Sequence, residues 1–93
     1  MIVGVMTWEL HLVACHSLKD KRHVLKSLKD RLHNRFNVSA AETAHHDLWQ
    51  RAELTVCVVS TDRDHAQSVL READRLIEAA DGARIVDTSA SFF

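Results

Sequence analysis

The chain has 93 residues, of which 46% are hydrophobic and 27% charged, and its net charge is −1. These values are typical of one small globular domain, spanning residues 1–93, with a single modest core. The near-zero net charge excludes a general attraction to nucleic acid or membranes, and no apolar run is long enough to span a bilayer. The two cysteines are too few for a disulfide framework, so we expect a reducing, cytoplasmic setting and no membrane partner.

Alternation and helical spacing predict the first two elements. From Ile2 to Val13 the apolar residues alternate, which predicts a strand whose even-numbered side chains point inward. Ser17, with Asp20 three positions later, is typical of a helix N-cap. Apolar residues then recur at helical spacing, which predicts a helix over residues 18–34.

The second half of the chain predicts two more strands of one sheet, another helix and a last strand. The strands are expected over residues 36–43 and 53–59, followed by a helix capped by Thr61 and ended near Gly82. The last strand is expected over residues 83–93, and the sequence leaves open which of its side chains face inward. The order β-α-β-β-α-β predicts an α+β fold, the ferredoxin-like plait, a four-stranded antiparallel sheet with two helices on one face.

Positive charge is concentrated on the first helix. Between His16 and Arg35 there are seven bases and two acids, whereas the rest of the chain holds five bases and eleven acids. At about 100° per residue, one stripe of this helix carries Lys19, Arg22, Lys26 and Lys29. Such a stripe predicts contacts with phosphates, above all those of RNA. The alternative is an ordinary solvated helix face.

The start of the first helix is a second candidate for anion binding. The free N–H groups that follow Ser17 can bind an anion, and Lys19, Lys21 and Arg22 stand close by. Lys21 itself falls on the apolar side of the helix. The alternative is an ordinary capped helix. The complete predicted set of nucleic-acid or anion contacts is Ser17, Lys19, Lys21, Arg22, Lys26 and Lys29.

The plait leaves one face of its sheet open. Antiparallel pairing of the first and third strands is expected to place Val3 and Val5 near Cys57 and Val59. An exposed apolar patch of this kind predicts an interface, most simply a homodimer. The alternative is scattered surface valines, which are common.

The other end of the open face is polar. Glu9, His11 and Glu53 are expected to gather there, either as an unpaired solvated cluster or as a weak metal site. The outward residues of the third strand include no aromatic ring. This excludes the base-stacking mode of the RNA-recognition motif, which has the same topology.

The stretch AHHDLWQRAE, residues 44–53, gathers polar and reactive side chains. His45, His46 and Asp47 could act as metal ligands, but no histidine pair has a recognised zinc-site spacing. We therefore expect no catalytic residue, no metal and no cofactor, and we keep a metal protein or enzyme as an alternative. Trp49 is expected to anchor the connection between the second and third strands, and Arg51 to pair with Asp47.

Four segments resemble the YlxP-like family of small bacterial proteins. They are MIVGV and ELHL in the first strand, HSLKDKRHVLKSLKDRLHNRFNVS at 16–39, and DLWQRAEL at 47–54. The resemblance implies a ferredoxin-like plait and no established activity, cofactor or catalytic residue. Genes of this family often neighbour those for translation initiation and ribosome-maturation factors, so the resemblance implies a connection with RNA by association. The expected function is thus non-enzymatic binding of RNA or a ribosomal particle, with a homodimeric interaction module as the alternative.

Overall fold

The computed structural model describes residues 1–93, and it has the predicted order of elements. The strands are β1 (Ile2–His11), β2 (Ser39–Ala44), β3 (Arg51–Ser60) and β4 (Arg84–Phe92), and the helices are α1 (Leu18–Arg35) and α2 (Arg63–Glu78). The strands form one antiparallel sheet in the order β2-β3-β1-β4. The predicted ferredoxin-like plait is confirmed. Neither helix has the length and apolar character that a membrane crossing requires.

The core lies between the sheet and the two helices. The even-numbered side chains of β1 and β3 supply its floor, as their alternation predicts. Trp8 is fully buried at its centre, and its indole Nε1 donates a hydrogen bond to Asp74 Oδ1 of α2 at 2.8 Å. This bond satisfies the one polar atom of the buried ring. The helices contribute Leu25, Leu28 and Leu32 from α1 and Ala66, Leu70, Ala73, Leu76 and Ile77 from α2.

Gly4 allows α2 and β4 to approach the middle of the sheet. A Cβ at this position would lie 3.1 Å from both Leu70 Cδ1 and Val58 Cγ1, and 3.3 Å from Phe92 Cε1. No larger residue fits there without displacing these side chains. Because Phe92 packs inward against Gly4, Phe93 lies on the open face, where it exchanges two backbone hydrogen bonds with Val3. The orientation of β4, which the sequence leaves open, is thereby defined.

Both helices begin with a side-chain cap. Ser17 Oγ accepts a hydrogen bond from the Asp20 N–H at 3.0 Å, which confirms the predicted cap of α1. The cap of α2 is Asp62, whose carboxylate accepts from the Asp64 N–H at 2.9 Å. The prediction of Thr61 as this cap was wrong. A carboxylate at the N-terminal end also interacts favourably with the helix dipole, which a threonine hydroxyl does not.

Candidate functional site

The basic stripe of α1 reaches solvent. Lys19, Arg22 and Lys26 are exposed and Lys29 is half-buried. Of these four, only Lys26 has an acidic partner, Asp30, whose Oδ2 lies 2.7 Å from its Nζ. The hydrogen bond from Lys26 lowers the pKa of Asp30. Exposed pairs of this kind are weak, so Lys26 can exchange its partner for a phosphate.

The stripe faces away from the second helix. His23 and Arg31, on the other flank of α1, border a small pocket together with Asp81 of the turn after α2. The stripe lies on the opposite flank and extends from Lys19 to Lys29, about 15 Å along the helix axis. Its four cations therefore form one continuous positive surface on an open flank of the protein.

Lys21 is buried, with only 2% of its surface exposed. Its Nζ donates to the backbone carbonyls of His45 at 2.6 Å and Leu48 at 2.8 Å. It also lies 2.6 Å from Glu42 Oε2, in an ion pair that is not aligned for a hydrogen bond. The ammonium group is buried among these three partners, so it does not reach a phosphate at the surface. Lys21 is therefore withdrawn from the predicted set of RNA contacts.

The polar groups at the start of α1 are also paired within the protein. Ser17 Oγ is bonded to the Asp20 N–H, and Asp20 Oδ2 accepts from the His16 N–H at 3.0 Å. The Asp20 carboxylate adds a negative charge at the position where an external anion was expected. Ser17 therefore acts as a cap, and the cations of this helix that remain available on its solvent-facing flank are Lys19, Arg22, Lys26 and Lys29.

The turn between β2 and β3 is held by Lys21. His45 has a φ of 64°, a left-handed conformation that is unfavourable by about 1 kcal/mol for a non-glycine residue. The two bonds from Lys21 to the turn carbonyls fix this backbone, and His45 Nε2 lies 3.1 Å from Glu9 Oε1 of β1. Trp49 is 52% exposed. The prediction of Trp49 as the anchor is corrected, because the buried ammonium of Lys21 performs that role.

A cleft opens beside this turn, at the polar end of the open sheet face. It encloses about 700 Å³ between residues 47–51 and the start of β4. Leu48, Trp49 and Val86 line it and are all exposed apolar side chains. Arg84 Nη2 contacts His11 Nδ1 at 3.2 Å and has no carboxylate partner. The cleft is not predictable from the sequence, which leaves open the side chains of β4 that face this end of the sheet.

The ion pair that Arg51 forms beside the cleft differs from the predicted one. Arg51 Nη2 lies 3.4 Å from Glu9 Oε2, and no ion pair joins Arg51 to Asp47. The local pairing expected from their spacing was wrong, since Arg51 lies in β3 and faces the neighbouring strand β1. Asp47 and Asp87 line the cleft without a cationic partner.

The apolar end of the open face is assembled as predicted. Val3 lies opposite Val59, and Val5 lies opposite Cys57. Val59 is 65% exposed, and Phe93 beside Val3 is 75% exposed. These residues form a contiguous apolar surface at the end of the sheet opposite the cleft.

A row of hydroxyl groups separates the two ends. Thr7 Oγ1 lies 3.0 Å from Thr55 Oγ1, which lies 2.8 Å from Thr43 Oγ1. Thr43 also donates to Glu53 Oε1 at 2.6 Å. The outward side chains of β3 include no ring, and those of β1 include only the imidazole of His11, which contacts Arg84. The two central strands therefore lack the set of aromatic side chains on which the RNA-recognition motif stacks bases.

The histidines of the turn point to different partners. His45 contacts Glu9, and His46 Nε2 lies 3.2 Å from the carbonyl oxygen of Glu42. No group of three or more His, Cys, Asp or Glu side chains is placed to hold a metal ion. Cys15 is buried, and this burial raises the pKa of its thiol. A raised pKa reduces the thiolate fraction that a cysteine nucleophile needs.

The contacts of Glu9 predict a pH dependence of stability. Burial alone would raise the pKa of Glu9, but the hydrogen bonds and charges of His45 and Arg51 outweigh it and lower the pKa. A carboxyl group whose pKa is lower in the folded state stabilises the fold above its unfolded pKa, about 4.3. This stabilisation is lost as the pH falls through the folded-state pKa.

We therefore expect the stability difference between the native protein and Glu9→Gln to shrink as the pH falls from about 5 to 2.5. Urea unfolding at several pH values measures this difference. Glu78→Gln is the control, because Glu78 is exposed and has no ion pair. A difference for Glu9→Gln that stays constant over this range would contradict the prediction.

Comparison with known proteins agrees with this fold and with the resemblance noted in the sequence. The chain is 33% identical over 78 residues to the uncharacterized protein YlxP of Bacillus subtilis (strain 168), an alignment covering 84% of this chain and 85% of that protein. Two de novo designed proteins have a similar structure. Foldit4 has a TM-score of 0.59 at 13% identity, covering 100% of this chain and 97% of the design. LFR1 1, described as having a ferredoxin fold, has a TM-score of 0.54 at 15% identity, covering 100% and 83%.

LarC2, the C-terminal domain of a cyclometallase involved in the synthesis of the NPN cofactor of lactate racemase, is also similar. Its TM-score is 0.51 at 10% identity, and the alignment covers 100% of this chain and 55% of LarC2. At such low identities, these structural likenesses indicate the fold alone. Residues 3–90 match the family described as protein of unknown function (DUF503). The chain therefore belongs to the DUF503 family.

Proposed function

We propose that the protein is a non-enzymatic binding protein that contacts RNA, free or in a ribosomal particle, through the basic stripe of α1. The observation that carries the proposal is the arrangement of Lys19, Arg22, Lys26 and Lys29 on one solvent-facing flank of the helix, with a single weak acidic partner among them. Cations in a row can replace the counterions condensed on a phosphate backbone.

The distribution of charge over the protein favours one orientation of the protein towards RNA. The segment from His16 to Arg35 carries a surplus of five positive charges, and the rest of the chain a surplus of six negative charges. This distribution favours the approach of RNA to α1 over the rest of the surface, although the net charge is close to zero. An ordinary solvated helix face does not need this separation of charge.

The proposed contacts go to phosphates, so the basic stripe binds with little sequence preference. Phosphate contacts position a protein on a nucleic acid, whereas contacts with base edges provide the specificity. Neither the stripe nor the outward face of β3 carries an aromatic ring for base stacking. Selectivity for one RNA, if the stripe acts alone, comes from the shape of the RNA.

The salt dependence of RNA binding tests the proposal. If four phosphates of a single strand are neutralised, raising the salt from about 50 to 200 mM should weaken binding by about 50-fold. Fluorescence anisotropy with a labelled RNA oligonucleotide and with a ribosomal RNA fragment measures both affinities. Absence of binding at the lower salt, or an affinity that does not change with salt, would overturn the proposal.

We propose a second role for the opposite end of the sheet, in which two copies of the chain associate through the apolar surface of Val3, Val5, Cys57 and Val59. The exposure of Val59 and Phe93, which lie on the two sides of Val3, supports it. Burying apolar surface stabilises an interface by roughly 25 cal/mol per Å². A second copy is the simplest partner, because a two-fold interface needs only one self-complementary patch.

Val59→Asp is expected to convert a dimer into a monomer in light scattering, because it places a charge in the interface. The thiol of Cys57 should react more slowly with a maleimide as the protein concentration rises, while Val59→Asp abolishes this protection. Val13→Asp is the matched control, since Val13 is exposed outside the patch. A native protein that is monomeric at all concentrations would contradict this second role.

A further inference from the structure

The cleft beside the turn from His45 to Leu48 combines a fixed backbone with unpaired ligand-binding groups. Its volume of about 700 Å³ lies within the range of sites for small ligands. The bonds from Lys21 to the turn carbonyls hold one wall, although His45 adopts an unfavourable backbone conformation. Strained backbone conformations cluster at functional sites. We therefore expect this turn, whose strained conformation is held by a buried charge, to do more than connect two strands.

The apolar groups of the cleft fit a flat ring. Trp49 is half-exposed, and Leu48 and Val86 add exposed apolar surface to the same cleft. A tryptophan with an open face binds a planar aromatic partner by stacking, and every nucleobase offers such a face.

The polar groups add charge of both signs at the border of this surface. Arg84 contacts His11 but no carboxylate, so it can bind a phosphate. Asp47 and Asp87 have no cationic partner and can accept hydrogen bonds from ring or amino N–H groups. A ligand with a planar ring, N–H donors and an attached phosphate matches all three features.

We infer that the cleft binds a nucleobase stacked on Trp49, with the phosphate of the same nucleotide near Arg84. The nucleotide is either free or part of an RNA strand. If the nucleotide is part of an RNA strand, the inference rests on the proposed function, because α1 would then hold the backbone of the same strand. If the nucleotide is free, its binding does not depend on α1.

Tryptophan fluorescence provides the direct measurement. The chain has two tryptophans, and Trp8 is fully buried, so quenching by a ligand reports on Trp49. AMP and UMP, or an RNA oligonucleotide, should quench the emission with saturation, whereas ribose 5-phosphate should not. Quenching by ribose 5-phosphate as well, or by none of these compounds at millimolar concentration, would overturn the inference.

A variant tests the role of the ring by calorimetry or NMR titration. Trp49→Leu is expected to weaken binding between about fivefold and 100-fold, the usual effect of losing one stacking contact. Val13→Ala, an exposed apolar change outside the cleft, should have no effect. Equal affinities of Trp49→Leu and the native protein for nucleotides and for RNA would contradict the inference.

Two further comparisons separate the sources of the nucleotide. Quenching by mononucleotides that persists when Lys19, Arg22, Lys26 and Lys29 are reversed to glutamate identifies a free nucleotide as the ligand. Quenching by the oligonucleotide alone, lost in that variant, identifies a base of bound RNA. If the variant binds RNA normally while Trp49→Leu does not, the proposed function of α1 fails and the cleft remains a base-binding site.

Discussion

Replacing Lys21 with methionine is expected to lower the free energy of unfolding by about 3 kcal/mol. The methionine keeps the length of the side chain but removes a buried charge, which leaves Glu42 without its partner. It also leaves the Leu48 carbonyl without its donor and the His45 carbonyl with only the Leu48 N–H. Each unsatisfied buried polar group is destabilising by about 1–3 kcal/mol.

Urea unfolding of the native protein and three variants measures this effect. Lys26→Met is the matched control, because Lys26 also pairs with an acid but is exposed, and its effect should stay below about 0.5 kcal/mol. Lys21→Met combined with Glu42→Leu should recover part of the loss, since no unpaired charge then remains. Equal stabilities of Lys21→Met and Lys26→Met would contradict the role of Lys21 in holding the turn.

Reversing the four cations of the α1 stripe to glutamate should weaken RNA binding by more than about 100-fold at moderate salt. The reason is that four phosphate contacts are lost and four repulsive contacts replace them. The slope of log affinity against log salt should approach zero in this variant, because no counterions are released. Fluorescence anisotropy over a series of salt concentrations measures both quantities.

A matched pair of double variants separates the position of charge from its amount. Lys19→Glu with Arg22→Glu changes two charges on the stripe, and Arg63→Glu with Arg71→Glu changes two exposed charges of α2. Only the first pair should reduce the salt dependence strongly. Equal losses of affinity in the two pairs would mean that net charge, and not the α1 surface, determines binding.

The fold is predictable from the sequence because its signals are local. The alternation in β1 and β3 identifies the buried faces, and the structure confirms the pairing of Val3 with Val59 and Val5 with Cys57. The cap of α1 at Ser17 depends on a residue three positions away, so it is also visible in the sequence. The Asp62 cap of α2 was missed because Thr61 and Asp62 are adjacent and both can cap.

The orientation of β4 is not visible in the sequence, for a physical reason. The pairing of β1 with β4 shifts between Glu9 and Leu10, so Val86 is an extra residue and the alternation breaks at this bulge. Because Ile85 and Val86 are adjacent and both apolar, the sequence does not show which of the two side chains points into the core. Since β4 lies at the edge of the sheet, most of its side chains are exposed and carry no burial pattern.

The functional surfaces are predictable only in part. The stripe of α1 follows from helical spacing alone. The role of Lys21 depends on carbonyls 24 and 27 residues further along the chain, which no local pattern reveals. Its position on the apolar side of α1 was the available signal, because a lysine on a buried face needs a buried partner. The cleft depends on the contact of Lys21 with the turn and on the bulge of β4, and neither is visible in a local sequence pattern.

Backbone amide NMR shifts on addition of RNA test the central proposal most directly, since they locate the binding surface without any substitution. The largest shifts are expected on the exposed flank of α1, around Lys19, Arg22, Lys26 and Lys29, and should disappear as salt is added. A second group of shifts near Trp49 would support base binding in the cleft. Shifts confined to the open face of β1 and β3, or no shifts at low salt, would contradict RNA binding through α1.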